Sequence, residues 1–277
     1  MAWLVEPLSY GFMQRGLTAS LMVGILCAVI GCYVVLKGMA FLGDAMAHAI
    51  LPGIAVAYLV QGNLLVGALV AAVVVALGIS FFSKEGTIKE DTAIGIFFAA
   101  ALSLGVALIS SIRTYAVDLS HILFGNVLGV SAQDLIMTGL LSLLVIGTLV
   151  VLYKPFLVVS FDPILAATLR LPINFLRSLL MVLLALTVVV SVQSVGVGLV
   201  AAMLVTPGAT AYLLTRRLPS MMVVAGVIGA IASLAGLFFS YYLNIASGAA
   251  IVLVATILFV IAYLFAPEKG ILARHFK

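Results

Sequence analysis

Charge is what this sequence has least of. Asp, Glu, Lys and Arg make up 8% of its 277 residues, where a soluble domain carries about 25%. A chain so poor in charge cannot cover a water-facing surface. With 65% apolar residues and a mean hydropathy of +1.39, it is an integral membrane protein. Cysteine is scarce too, with only Cys27 and Cys32, five apart in one apolar run. That spacing is neither a redox CxxC nor a zinc knuckle, so both thiols read as small packing groups. No GxxxxGK[ST] loop occurs, which excludes nucleotide hydrolysis by a P-loop in this chain. Apolar runs consume nearly the whole length, leaving no room for a sizeable soluble domain or an extramembranous active site. Glu6 and the lack of an early cationic region predict no cleaved signal peptide.

What is present is a series of long apolar runs. A spanning helix needs about 20 such residues. Runs of this kind lie near 12–36, 42–60, 64–82, 92–112, 134–153, 176–195, 197–214, 220–243 and 248–266. The predicted fold is therefore an all-α polytopic transmembrane bundle of eight or nine spans, with 1–277 as a single membrane domain. With nine spans, Lys37, Lys84, Lys89, Lys154, Arg170, Arg177, Arg216, Arg217, Lys269, Arg274 and Lys277 share one side, and Arg15 and Arg113 take the other. The excess of Lys and Arg marks the cytoplasmic side. This places the N-terminus outside and the C-terminus in the cytoplasm. One re-entrant segment would reduce the count to eight and reverse the N-terminus. The net charge of +4 reports topology rather than partners, and no nucleic acid is expected.

Two segments are irregular. The second span reads Gly43-Asp44-Ala45-Met46-Ala47-His48-Ala49-Ile50-Leu51-Pro52-Gly53, and the seventh carries Thr206-Pro207-Gly208. Helices interrupted by Gly and Pro are tolerated where they line a cavity or are covered by protein, and such pairs point to a transport path. An ordinary proline kink is the competing reading of each. An ionisable residue in a span costs about 2.5–3.5 kcal/mol on insertion scales and usually marks an ion or substrate path. Asp44 and His48 are four apart, so they share a helix face. Both are ligands for divalent transition metals. On the residues alone, Asp44 capping the span while His48 satisfies a carbonyl stays open beside the ligand reading. Met46 points elsewhere and reads as packing. The amphipathic stretch from Asp118 to Ser131 reads as a short outer-surface helix and loop, in which His121 reads as a surface residue, with contact to delivered metal as the alternative; His275 reads as a solvated tail residue.

The segment Val159 to Pro172 follows the fifth span. Asp162 suits an N-cap and Pro163 the first helical position. Ile164, Leu165, Ala167 and Leu169 give a short apolar face, and Pro172 stops the helix. An exposed apolar face wants a partner. On the residues alone, the membrane surface and a soluble cytoplasmic subunit are both open.

Together these segments resemble the metal-ion ABC permeases of the manganese/zinc/iron type. The Gly43 to Gly53 run, the Asp118 to Ser131 loop, the Phe161 to Pro172 helix and the Gly198 to Ala211 stretch match family patterns in the same order. The resemblance covers essentially the whole chain. It implies a fold like that of the vitamin B12 and siderophore permeases, in a bacterial cytoplasmic membrane. It also implies a second permease copy around a central path, an extracytoplasmic metal-binding protein, and a cytoplasmic ATPase subunit that hydrolyses ATP. The ATPase would dock on a helix near 162–170, using Asp162, Pro163, Leu165, Ala166, Ala167, Leu169 and Arg170. Asp44 and His48 become the path ligands, with no permanently bound cofactor.

One Asp and one His are too few for a selective site. A two-fold axis would double them. Mixed oxygen and nitrogen ligands without thiolate suit manganese or zinc better than Cu(I). Manganese is the preferred cargo, with zinc or ferrous iron as alternatives. A proton-coupled secondary transporter is the competing class, but it commonly uses several intramembrane carboxylates, and Asp44 alone lies convincingly within a span. Gly226, Ala230, Ala232 and Gly236 offer close helix packing, within the chain or between copies.

Overall fold

The computed structural model describes residues 6–83, 88–111 and 127–266. Lys84, Arg113, Asp118, His121, Lys269, Arg274, His275 and Lys277, which entered the topology and loop readings above, lie outside them. The described residues are helical, without strands. In chain order the helices are α1 (Gly11–Leu36), α2 (Leu42–Ala49), α3 (Leu51–Leu59), α4 (Leu64–Phe82), α5 (Glu90–Ser110) and α6 (Ala132–Val151). They continue as α7 (Tyr153–Phe161), α8 (Pro163–Thr168), α9 (Ile173–Val195), α10 (Val197–Leu214), α11 (Leu218–Leu243) and α12 (Ser247–Phe265). Among the described residues nine spans are long and apolar enough to cross a membrane, with α2 and α3 together forming the second.

Helix ends follow the local chemistry. Asn63 Oδ1 accepts from Leu65 N at 2.9 Å and Val66 N at 3.3 Å, starting α4. Ser131 and Asp134 form a reciprocal box at the start of α6: the Asp134 amide donates to Ser131 Oγ, and the Ser131 amide donates to Asp134 Oδ2, both at 3.1 Å. Helix α6 ends at Val151 and α7 begins at Tyr153, with Pro155 in its first turn, where a proline has no helical N–H to lose.

The two irregular spans differ. At Pro52 the chain divides into α2 and α3, with Pro52 in the first turn of the second helix. At Pro207 helix α10 runs on without a break. The broken-helix expectation therefore holds for the second span and is corrected for the seventh. There the flanking helical turns keep their bonds around the proline, and Thr210 Oγ1 donates to the Thr206 carbonyl at 2.7 Å.

The chain forms two compact units. One holds α1, α10, α11 and α12, with the first half of α6 and the last turn of α9. Here α1 packs on α10 and α11. A Cβ on Gly31 would overlap the Leu204 carbonyl oxygen, and one on Gly24 would overlap Ser233 Oγ. Cys27 and Cys32 are free and buried in the same helix, Cys27 Sγ lying 3.4 Å from Ser191 Oγ. The other unit holds α2, α3, α4, α5, α7 and α8 with the remainder of α6 and α9. In it α2 and α3 pack against α4 and α5.

Candidate functional site

Helix α2 is only eight residues long, with Asp44 in its first turn and His48 in its last. Its brevity comes from Pro52. In a continuous helix the amide of residue 52 would donate to the His48 carbonyl, and proline has no N–H and a ring that crowds that carbonyl. The carbonyl is met by the Ile50 amide instead, and the helix restarts at Leu51. The kink thus lies at the His48 backbone. It is held from two sides: Gly53 and Gly67 bring α3 and α4 into backbone contact, so that a Cβ on either would overlap the other's carbonyl oxygen. From α5, a Cβ on Gly105 would stand 2.8 Å from Leu51 Cβ and 3.2 Å from Pro52 N.

Asp44 and His48 point the same way, with His48 Nδ1 3.6 Å from Asp44 Oδ1. Nδ1 also lies 2.9 Å from the Asp44 backbone oxygen. A carbonyl only accepts, so Nδ1 is the protonated nitrogen. The lone pair of the neutral ring is then on Nε2, the arrangement in which a metal-ligating histidine is held by a carbonyl behind it. The Phe98 ring of α5 meets the imidazole edge-on, with centroids 5.7 Å apart and planes at 82°. This contact, with the Nδ1 bond, restrains the ring. Phe41 packs on the same Phe98 ring at 6.2 Å.

The side chains of Asp44 and His48 are 40% and 27% exposed, whereas Ala45, Met46 and Ala47 between them are buried. An exposed carboxylate on a spanning helix faces a water-filled path or a protein partner, because lipid would not accept it. Capping is corrected: the N-cap of α2 is Phe41, which makes no side-chain cap bond, and Asp44 stands in the first turn. The carbonyl contact of His48 is present, and it leaves the ligand nitrogen free. Among the described residues no group of three or more His, Cys, Asp or Glu side chains could hold a metal ion. A cavity of about 700 Å³ lies beside the kink, lined by α3, α4 and α5. Val56, Val70 and Leu104 typify its walls, which are almost wholly apolar.

Helix α8 is framed as the sequence predicts at its start and differently at its end. Asp162 Oδ1 accepts from Leu165 N at 2.9 Å, and Pro163 occupies the first turn. The helix ends at Thr168, before Pro172 can act. Arg170 takes φ 53°, its amide donates to the Ala167 carbonyl, and the Leu171 amide donates to that of Ala166, both at 3.0 Å. These two bonds form a Schellman closure. Leu165, Ala167, Leu169 and Arg170 are exposed, and Ile164 is the most exposed of the large apolar residues in the segment at 81%. Ala166 is fully buried, which corrects its place in the docking set: it packs inward. Sequence reasoning left Ile164 out of that set although it lies on the same short apolar run. Phe98 carried no sequence signal, since one aromatic in an apolar span looks like any other.

A model of the ABC 3 transport family matches residues 9–266. The manganese transport system membrane protein MntC of Halalkalibacterium halodurans is 48% identical over 272 residues, 98% of this chain and 93% of the relative. A Haemophilus influenzae protein named "Probable iron transport system membrane protein" is 43% identical over 267 residues, 96% of this chain and 98% of its own. The solved structure of PsaBC from Streptococcus pneumoniae in complex with Fab superposes with a TM-score of 0.86 at 39% identity, covering 99% of both chains. The chain is a multi-pass membrane protein that belongs to the ABC 3 transport family.

Proposed function

We propose that this chain is the permease subunit of an ATP-driven importer of manganese(II), and that Asp44 and His48 are its transit ligands. The observation that carries this reading is the His48 ring, held through Nδ1 by the Asp44 carbonyl with Nε2 left free beside an exposed carboxylate. One chain supplies one oxygen and one nitrogen ligand. A second copy around a two-fold axis completes two of each, enough for a four-coordinate ion or a higher-coordinate one with water. A transit site must release its ion, so ATP-driven rearrangement disrupts this ligand set. Recognition at low concentration then falls to an extracytoplasmic binding protein. The chain is read as one permease domain, and ATP hydrolysis belongs to a partner ATPase seated on Ile164, Leu165 and Leu169 of α8. The relative named for iron transport keeps ferrous iron as the second reading, since the same ligand set accepts it.

The deciding experiment is uptake of radioactive manganese, ferrous iron and zinc by an importer-deficient bacterium expressing this chain with its ATPase and binding protein. Manganese uptake that Asp44→Ala abolishes is the expected result. Equal uptake by wild type and Asp44→Ala would show that the pair is not on the path. Uptake of iron alone would replace the substrate and keep the site.

Asp162→Ala removes the cap of α8, a change of about 0.5–2 kcal/mol in helix stability. Ile164→Asp places a charge in the middle of the exposed apolar face. Both are expected to reduce co-purification of the ATPase while leaving the permease in the membrane, with Ile164→Asp the stronger. Full recovery of the ATPase with Ile164→Asp would move the docking surface elsewhere.

A further inference from the structure

Two half-buried charges are not used by the metal pair. Glu90 opens α5, and Arg177 lies near the start of α9. Arg177 Nε stands 3.2 Å from Glu90 Oε1, and both side chains are 21% exposed. Arg177 Nη1 also donates to the Ser83 carbonyl at 3.3 Å, where Ser83 is the C-cap of α4. Beside it the Ser80 and Ser178 hydroxyls bond at 2.7 Å. The ends of α4, α5 and α9 are therefore fastened at one point.

That point follows α8 closely in the chain and lies at the start of the helix that carries Phe98. Only residues 169–172 separate α8 from α9, and the Leu176 amide closes back on the Pro172 carbonyl at 3.0 Å. A displacement of α8 thus acts on the first turns of α9, where Arg177 sits. Arg177 pairs with Glu90, and Glu90 begins the helix that carries Phe98. The eight helical steps from Glu90 to Phe98 rise about 12 Å. Phe98 in turn meets the His48 ring edge-on. Every member of this series belongs to one compact unit.

We infer that Glu90, Arg177 and Phe98 are positioning residues that transmit movement of α8 to the imidazole of His48, so that ATP-driven motion changes the direction of Nε2 and releases the ion. The inference rests on the transport reading above. A helix moves nearly as a rigid rod, and a partly buried ion pair loses its attraction steeply when its groups separate. Helix α5 therefore follows α9, and the Phe98 edge takes the His48 ring with it. Coupling of this kind needs a physically contiguous series with two arrangements, and the pair supplies the element that both ends can bias.

The test uses the permease with its ATPase and binding protein in proteoliposomes, reading manganese uptake and ATP hydrolysis separately. With Glu90→Gln or Arg177→Gln, hydrolysis is expected to continue while manganese moved per ATP falls about fivefold or more. The exchanged pair Glu90→Arg with Arg177→Glu is expected to restore much of the ratio, because the attraction returns. Phe98→Leu, outside the ion pair, is expected to lower the same ratio. Wild-type ratios in the single variants, or in Phe98→Leu should the charge variants not assemble, would overturn the inference. Asp44→Ala in the same preparation separates the two failures. Normal uptake there removes the transit site itself. Lost uptake there, with normal ratios in the other variants, removes only the linkage.

Discussion

His48→Ala is expected to lower manganese uptake by about a hundredfold or more while the protein remains folded in the membrane. Losing a partner that merely orients a metal ligand typically costs about 10–100-fold in affinity or activity, and a ligand itself costs at least that. The effect on folding should be small. The side chain is 27% exposed and lies on a short helix whose packing is made by Leu42, Met46 and Ala49. The chief structural loss is the edge contact with Phe98, worth about 1 kcal/mol. A second substitution separates liganding from local hydrogen bonding. In His48→Gln the amide N–H can still donate toward the Asp44 carbonyl, but no imidazole lone pair is left. Uptake assays on both variants, with membrane protein quantified alongside, decide the matter. Retained uptake in His48→Gln would mean that the ring serves the Asp44 carbonyl and nothing more.

The same chemistry explains what was legible in the sequence and what was not. Membrane spans declare themselves by length and hydropathy alone, so each of the nine expected runs coincides with a span to within a few residues. The pairing of Asp44 with His48 was legible because charge is so costly in a span that Asp44 stands out, and the spacing to His48 is a helix repeat. The Asp162 cap and Pro163 were readable because both act within one turn. What could not be read depends on contacts between segments distant in sequence. Arg177 looked like one more cytoplasmic cation until Glu90, far away in the chain, came within 3.2 Å of it. Pro207 looked equivalent to Pro52, yet Pro52 falls at a helix start and Pro207 within a continuous helix. Arg170 ends α8 through a left-handed turn, which a sequence scan assigns to glycine.

Glycines give the second large effect. The sequence draws attention to the small residues of α11, and there Gly236 does meet helix α12: its Cβ would overlap Ile251 Cα. Gly226, of the same stripe, has only ordinary contacts, the nearest at 3.7 Å. The tighter crossing belongs to α1, where Gly24 and Gly31 are seven residues apart and so share a face. Gly31→Ala would drive its Cβ into the Leu204 carbonyl oxygen, with the Leu204 carbonyl carbon 2.8 Å away. The neighbour cannot yield easily, because it is backbone. Close by on α10, a Cβ on Gly208 would lie 3.2 Å from the Gly31 carbonyl oxygen, so that crossing is tight from both sides. We expect Gly31→Ala to cost about 3 kcal/mol, the upper part of the range for overpacked sites. Gly147→Ala on α6 supplies the opposite sign. Beyond its own helix backbone, no atom lies within 4 Å of its added Cβ, and alanine is favoured over glycine within a helix by about 1 kcal/mol. Thermal unfolding of both variants in detergent, followed by the loss of the monodisperse peak on size exclusion, should place Gly31→Ala well below wild type and Gly147→Ala at or above it. If the two variants unfold together, the α1 and α10 backbones are not in contact at this crossing. Two helices with lipid on their outer faces gain no hydrophobic burial from meeting each other, so close backbone approach is what holds them. That is why a single methyl group at Gly31 outweighs far larger changes on the lipid-facing sides.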